Sequence, residues 1–355
     1  MIDNLDKYLA KDDISVKEAM RLMDKNSKKI VFIVGKENQL LGSVSDGDIR
    51  RWILNNGDLN CSVASIMNRT PTSFKQNYDL SAVKDKMFEG EIESIPVVDE
   101  QQCIKDILFW DVVFDGSHKR AVAKKAISVV IMTGGKGTRL SPFTKIFPKA
   151  LVPIGEKAII EIIMDKFAKY GFREFDLILN YKGEMIKSFL DNIDTGYIFT
   201  YYWEKDPLGT VGGVKLINKI LSDDFFVSNC DIMIDAHYDD LLNFHQKDKN
   251  DITLVGSVQN YKVPYGVMKV SNGGKLEELV EKPEFDFLVN TGLYVINKRV
   301  IDLIPEGKLF HITDLISKVK EEKGQIGVYP VSEGAWVDIG QWGEYQKVLK
   351  NISCD

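Results

Sequence analysis

The sequence predicts an α/β protein in which a mixed, mainly parallel sheet carries helices on both faces, preceded by a smaller α+β unit. Three observations lead there. Beyond residue 128, apolar runs alternate with a segment of helical spacing: Val129, Val130 and Ile131 form one run, residues 159–170 keep a helical period, and 175–179, 225–227 and 252–258 are further apolar runs. Runs of that length suit strands buried on both faces, and the strand–helix rhythm supplies the covering helices. Residues 1–115 contain a weak internal repeat. Between the halves, GSHKRAVAKKA at 116–126 is small, basic and without apolar period, as expected of a linker. The expected organisation is therefore a first domain at 1–117, a linker at 118–127 and a second domain at 128–355.

Taken in order, the first copy of the repeat reads as a helix at 16–23, a strand at 30–34, a turn at 36–38, a strand at 40–44 and a helix in SDGDIRRWIL opened by Asp46 or Asp48. The second reads as a helix at 80–88, a strand at 95–98, a turn at Asp99 and Glu100, a strand at 104–108 and a last helix opened by Asp111. Two such units are too small to bury separate cores and are expected to pack together. In the second half, residues 265–270 and 288–296 add β-rich segments that suggest an antiparallel region inserted in, or appended to, the parallel sheet.

Composition narrows the function. The chain is 44% hydrophobic and 28% charged, ordinary for a soluble globular protein. A net charge of −6 argues against a general nucleic-acid binder, so any site for an anion must be locally basic. No apolar run approaches the ~20 residues that span a bilayer, and MIDNLDKYLAKDD lacks the apolar core of a signal peptide. Cys61, Cys103, Cys230 and Cys354 are scattered with no C-x-x-C, as reduced thiols of a cytoplasmic protein would be. His118, His237, His245 and His311 show no zinc-ligand spacing.

Residues 129–151, VVIMTGGKGTRLSPFTKIFPKAL, are the most informative stretch. A strand runs into Gly134, Gly135, Lys136, Gly137, Thr138 and Arg139. Three glycines let the backbone approach a ligand and turn its N–H groups toward phosphates. Arg139 adds a planar fork of donors and Lys149 a point charge. Such a loop is built for a polyphosphate. Asp231, ending FFVSNCD, and Asp338, in GAWVDIGQW, sit where strands meet loops, and both strands are expected in one sheet. Two carboxylates brought together repel unless a cation lies between them, and Mg²⁺ takes one or two carboxylates plus phosphate oxygens. In WEKDPLGTVGG, Gly209 and Thr210 precede an expected helix at 214–221, whose N-terminal N–H groups would face a ligand. Gly292, in NTGLYVI, and Tyr265-Gly266-Val267 suit close approach of backbone to a sugar.

GGKGTRL followed by FPK resembles the signature of the sugar-phosphate nucleotidyltransferases, and differs from the P-loop and dinucleotide fingerprints. The resemblance implies a Rossmann-like, GT-A-like domain that converts a nucleoside triphosphate and a sugar 1-phosphate into a nucleotide-sugar and pyrophosphate. It further implies that Asp231 and Asp338 hold Mg²⁺, that Gly134, Gly135, Gly137 and Thr138 cradle the nucleotide, that Arg139 steadies the β- and γ-phosphates, and that Lys149 stabilises charge on the α-phosphate. VEKP at 280–283 is similar to a family segment whose glutamate meets a sugar hydroxyl and whose lysine meets the sugar phosphate, which maps onto Glu281 and Lys282. Asn180, Gly266, Asn290 and Gly292 complete the expected sugar contacts. Leu208, Gly209 and Thr210 lie in a stretch that resembles the E-x-x-P-L-G-T-A-G of guanylyltransferases such as the mannose-1-phosphate enzymes, which favours GTP.

PVVDE at 96–100 and GSVSDGDIRR at 42–51 resemble a tandem pair of CBS domains. That implies an adenine nucleotide contacted by Ser45, Asp48 and Arg50 or Arg51, with Asp111 in the second copy, where Leu108 replaces the hydroxyl residue. A purely dimerising role is the alternative, and a homo-oligomer is expected either way. The whole is similar to CBS-fused guanylyltransferases of bacterial nonulosonic (legionaminic) acid synthesis, which implies a glucosamine-type acceptor, with mannose 1-phosphate as the runner-up. A non-catalytic nucleotide sensor is the competing reading, and the same chemistry with UTP or CTP is a further alternative.

Overall fold

A computed structural model describes residues 4–90, 92–114, 124–217 and 222–352. Most of the expected linker, His118 and Cys354 lie outside the described residues. By its internal contacts the chain divides into units at Met1–Ala121 and Val122–Asp355.

In the first unit, β1 (Leu9–Lys11), α1 (Val16–Asn26), β2 (Ile30–Val34), β3 (Leu40–Ser45) and α2 (Asp46–Leu54) form one copy of the repeat. β4 (Phe74–Lys75), α3 (Leu80–Gly90), β5 (Ser94–Val98), β6 (Ile104–Phe109) and α4 (Trp110–Val113) form the other. The topologies match: each sheet pairs its first two strands parallel and its last two antiparallel. Ser15 and Ser45 cap α1 and α2, each in a reciprocal capping box with the residue three positions on, which satisfies N–H groups that a helix start leaves open. Phe32 and Val34 of the first copy share a core with Val98, Ile104, Ile107 and Phe109 of the second, as the repeat predicts.

The second unit continues with β7 (Lys125–Met132), α5 (Phe143–Ile146), a small hairpin of β8 (Pro153–Ile154) and β9 (Lys157–Ala158), α6 (Ile159–Ala168), β10 (Phe172–Leu179), α7 (Gly183–Asp191) and β11 (Ile198–Trp203). There follow β12 (Asp224–Asn229), β13 (Ile232–Ile234), α8 (Tyr238–Lys247), β14 (Ile252–Lys262), β15 (Val267–Val270), β16 (Leu276–Val280) and β17 (Glu284–Asn297). The chain closes with α9 (Ile312–Glu321), β18 (Ile326–Val331), β19 (Trp336–Asp338) and α10 (Trp342–Ile352). Seven strands make the main sheet in the order β11-β10-β7-β12-β17-β14-β18. All but β17 run the same way. One core, with Phe167, Phe175 and Phe226, covers one face of the sheet; a second, with Phe225, Val227 and Leu315, covers the other.

Two expectations need correction. β19 is not in the main sheet; it pairs antiparallel with β13 in a separate ladder, Ile232 opposite Asp338. The expected helix at 214–221 is a short 3₁₀ turn, Gly212–Leu216, and residues 218–221 lie outside the described residues. Two successive glycines favour no helix, and Gly213 must pass closely between neighbours: a methyl group there would lie 2.5 Å from Ile178 and from the Glu204 carboxyl.

Candidate active site

The parallel strands β7 and β12 deliver their carboxyl ends side by side, the usual position of a ligand crevice in such sheets. The glycine loop leaves β7 there and ends in a 3₁₀ turn, Thr138–Leu140. Gly137 adopts a left-handed φ of 64°, and a methyl group on it would press on Lys149 and Thr144, so glycine lets the loop close over the Lys149 stem. Gly135 has open space above it. Thr144 fastens the loop by donating to Gly137 O at 2.9 Å.

A cavity of about 410 Å³ opens at this edge, and Arg139, Asp231 and Asp338 all line it. The β13–β19 ladder brings the two aspartates together, helped by Ile339 N donating to Asp231 O at 2.9 Å. Lys149 forms an ion pair with Asp231, both side chains mostly buried. Gly340 marks the point of convergence: a methyl group there would meet Asp231 Oδ2, Lys149 Nζ at 2.7 Å and Asp338 Oδ1 at 2.8 Å. Two carboxylate oxygens aimed at one small space, already drawing an ammonium group, fit a hard cation of the Mg²⁺ class. Next to them, burial pushes the Cys230 thiol up to about 12, with the Asp231 carboxylate adding to the effect, so it stays protonated and inert.

Other expected residues fall around this centre unevenly. Thr210, Asn290 and Gly292 line the cavity. Gly292, at φ 89°, passes so close to Asn229 that a methyl group would lie 2.5 Å from its Nδ2. Leu208 and Gly209 face Phe310 through the backbone instead. Asn180 donates to Glu204 O at 3.0 Å behind the glycine loop. Gly266, Glu281 and Lys282 do not line the cavity; they sit where β14 and β17 pass into β15 and β16, and the Glu281 and Lys282 side chains are exposed there. In the first unit, Ser45 and Asp48 are engaged in the α2 cap, Arg50 pairs with Asp46, and Asp111 pairs with Lys28 at 2.9 Å.

Several lining residues escaped the sequence reading: Asn229, Thr291, Tyr294, Thr313 and Trp336. The helix start at the cavity belongs to α9, not to 214–221; Thr210 Oγ1 accepts from Ile312 N at 2.9 Å. The legible sign was His311-x-x-Asp314, whose Asp314 carboxylate accepts from His311 N at 2.8 Å. Trp336 Nε1 is buried with no hydrogen-bond partner beside the cavity. Glu204 is 8% exposed, its Oε1 also has no partner, and burial pushes its carboxyl up to about 7. A methyl group on Gly134 would lie 2.8 Å from Glu204 Oε2, so the carboxyl stands directly behind the glycine loop.

A family model described as nucleotidyl transferase matches residues 128–353. The chain belongs to the nucleotidyl transferase family. A CBS-domain model matches residues 7–55, over the first copy of the repeat. The nucleotidyl transferase half is 34% identical over 222 residues to the mannose-1-phosphate guanyltransferase of Debaryomyces hansenii and 35% identical over 228 residues to that of Yarrowia lipolytica, each match covering 60% of both chains. The chain thus spans about 60% of the length of the curated relatives it matches. Among solved structures it is similar to HddC from Yersinia pseudotuberculosis, with 25% identity, a TM-score of 0.51, and coverage of 64% of this chain and 99% of that one. A second HddC structure, complexed with GMP-PN, matches at 25% identity and a TM-score of 0.50 over the same shares. No helix among the described residues is long and apolar enough to cross a membrane.

Proposed function

We propose that this nucleotidyl transferase is a guanylyltransferase that joins GTP and a hexose or amino-hexose 1-phosphate into a GDP-sugar and pyrophosphate. The observation that carries the reading is the convergence of Arg139, Asp231 and Asp338 on one cavity at the mouth of the glycine loop. The guanyltransferase relatives support the choice of base and reaction.

In the reaction, an oxygen of the sugar phosphate attacks the α-phosphorus of GTP; that P–O bond forms as the bond to the β-phosphate bridge breaks, and pyrophosphate leaves with the electron pair. The nucleophile is already anionic, so the protein's part is positioning and charge neutralisation. The N–H groups of Gly134, Gly135, Gly137 and Thr138 cradle the triphosphate, with Thr210, which lines the cavity, on its far side. Arg139 holds the β- and γ-phosphates, and Lys149, pre-oriented by Asp231, balances charge growing at the α-phosphate. Asp231 and Asp338 would hold Mg²⁺, which when bound supplies Lewis-acid neutralisation of the phosphates. Asn290 and the Gly292 backbone, which line the cavity, meet the sugar.

For the base, Glu204 is the residue with matching chemistry. Guanine alone among the common bases offers adjacent N1–H and N2–H donors, and a carboxylate accepts both. A buried acceptor left open penalises a base without those donors. The test crosses four nucleoside triphosphates with mannose and glucosamine-type 1-phosphates, reading pyrophosphate release for the wild type and Glu204→Gln. Expected are a GTP preference in the wild type and a shift toward UTP or dTTP in the variant, whose amide donates as well as accepts. The wild-type KM for GTP should fall as pH rises through about 7, where Glu204 loses its proton, while the variant stays flat. Fastest release with another base overturns the guanylyl reading, and no release with any pair overturns the enzyme.

A further inference from the structure

Lys182 opens α7 in a backbone conformation that few lysines adopt. It is the N-cap residue, left-handed at φ 54° and ψ 28°, and its side chain makes no cap hydrogen bond. Glycine or asparagine would suit the position better, because a Cβ is strained there and lysine brings no capping oxygen. What this residue contributes is its ammonium group.

Lys182 Nζ donates to Thr144 O at 3.4 Å, Lys145 O at 2.7 Å and Ile146 O at 2.8 Å. These are the last three carbonyls of α5, and the one before them, Phe143 O, already accepts from Phe147 N. A helix end leaves such carbonyls open, and a charged donor binds them strongly. Little packing holds this end otherwise: Ile146 and Phe147 are 67% and 41% exposed. The opposite end is anchored by the Phe143 ring, which packs against Trp342.

The gripped segment joins two parts of the phosphate site. Upstream, Thr144 Oγ1 ties it to the glycine loop by donating to Gly137 O at 2.9 Å. Downstream, Phe147 and Pro148 lead directly into Lys149, which pairs with Asp231. The turn that carries Lys182 reaches the base side as well, since Asn180 donates to Glu204 O at 3.0 Å. One turn between β10 and α7 thereby braces Glu204, the glycine loop and Lys149 against one another. Lys182 itself does not line the cavity.

We infer that Lys182 is a positioning residue, which fixes the glycine loop and Lys149 so that both meet one triphosphate. The inference rests on the guanylyltransferase reading for the ligand that the loop holds.

Lys182→Gly and Lys182→Arg in the full chain test this. The melting temperature of Lys182→Gly should stay close to wild type, since relief of the left-handed backbone offsets the lost hydrogen bonds. Expected is a fall in kcat/KM for GTP of about 10- to 100-fold, the size of a displacement remote from the chemistry, with the KM for the sugar 1-phosphate unchanged. Lys182→Arg, which keeps charged donors in place, should recover most of the loss. Hydrogen exchange of the unliganded proteins over residues 143–151 should quicken in Lys182→Gly and not in Lys182→Arg, a readout that needs no substrate. Wild-type kinetics in a folded Lys182→Gly, an equal rise in the KM for the sugar phosphate, no recovery with arginine, or exchange over 143–151 that ignores the glycine substitution overturns the inference. If the wild type releases no pyrophosphate, the guanylyltransferase reading falls and the exchange measurement alone decides whether Lys182 braces the segment.

Discussion

Gly340 stands where the charged side chains of the candidate site converge. Its backbone N–H donates to Asp338 Oδ1 at 2.9 Å, and the space where a side chain would start is where Asp231, Asp338 and Lys149 converge. Its φ is not left-handed, so alanine fits the backbone and disturbs only the charged cluster. Gly340→Ala is expected to lower turnover at least ~100-fold, the size of losing one transition-state electrostatic group, with a melting temperature close to wild type. Steady-state pyrophosphate release and a thermal melt check both halves; near-normal turnover would mean that the convergence is not needed. Gly340 follows Asp338 by two positions in GAWVDIGQW, yet nothing local marks it: Asp231 and Lys149, which stand against it, are both far away in the chain.

At the scale of elements, a buried polar cluster ties β12, α8 and β17 together at the sheet edge opposite the cavity. Asp224 accepts from Gln246 at 3.0 Å and Asn297 at 2.7 Å, and lies 3.3 Å from His245 Nε2. Burial alone would raise the Asp224 carboxyl, but the bonds from His245, Gln246 and Asn297 outweigh it and hold it at about 2. Because the folded value lies below the ordinary 3.8, this stabilisation is present above about pH 4 and fades as pH falls toward 2. Asp224→Asn should cost about 2 kcal/mol near pH 7, in line with hydrogen bonds to a charged group, and the gap should narrow in acid; urea unfolding of both proteins across that range measures it. The elements themselves were readable unevenly. β7, β10 and β12 stood out because strands buried on both faces must be continuously apolar. β19 was readable as a strand but not as a partner of β13, since three residues carry no record of which strand they will meet.

For the whole molecule, every residue that lines the cavity comes from the second unit. A chain beginning at Val122 is therefore expected to fold alone and to release pyrophosphate within about tenfold of the full chain, as independent domains do. A cooperative melt and a turnover assay on that fragment decide it; an unfolded or inactive fragment would show that the repeat half belongs to the catalytic body. The internal repeat announced the first unit because each copy reuses one local pattern of helix, strand, turn and strand.

Short-range pattern in the chain was enough to reveal the chemical inventory: a glycine-rich loop with its arginine and lysine, two strand-end aspartates, and a duplicated unit ahead of them. These features are local, written in spacings of a few residues where backbone geometry and side-chain period are set. Pairing between distant segments set that Asp231 and Asp338 meet across a small separate ladder, that α9 rather than residues 214–221 begins at the cavity, that Glu204 Oε1 lacks a hydrogen-bond partner behind the loop, and that Glu281 and Lys282 lie on an arm outside the cavity wall. Those outcomes depend on strand order and register between segments distant in the chain, where no short-range signal reaches.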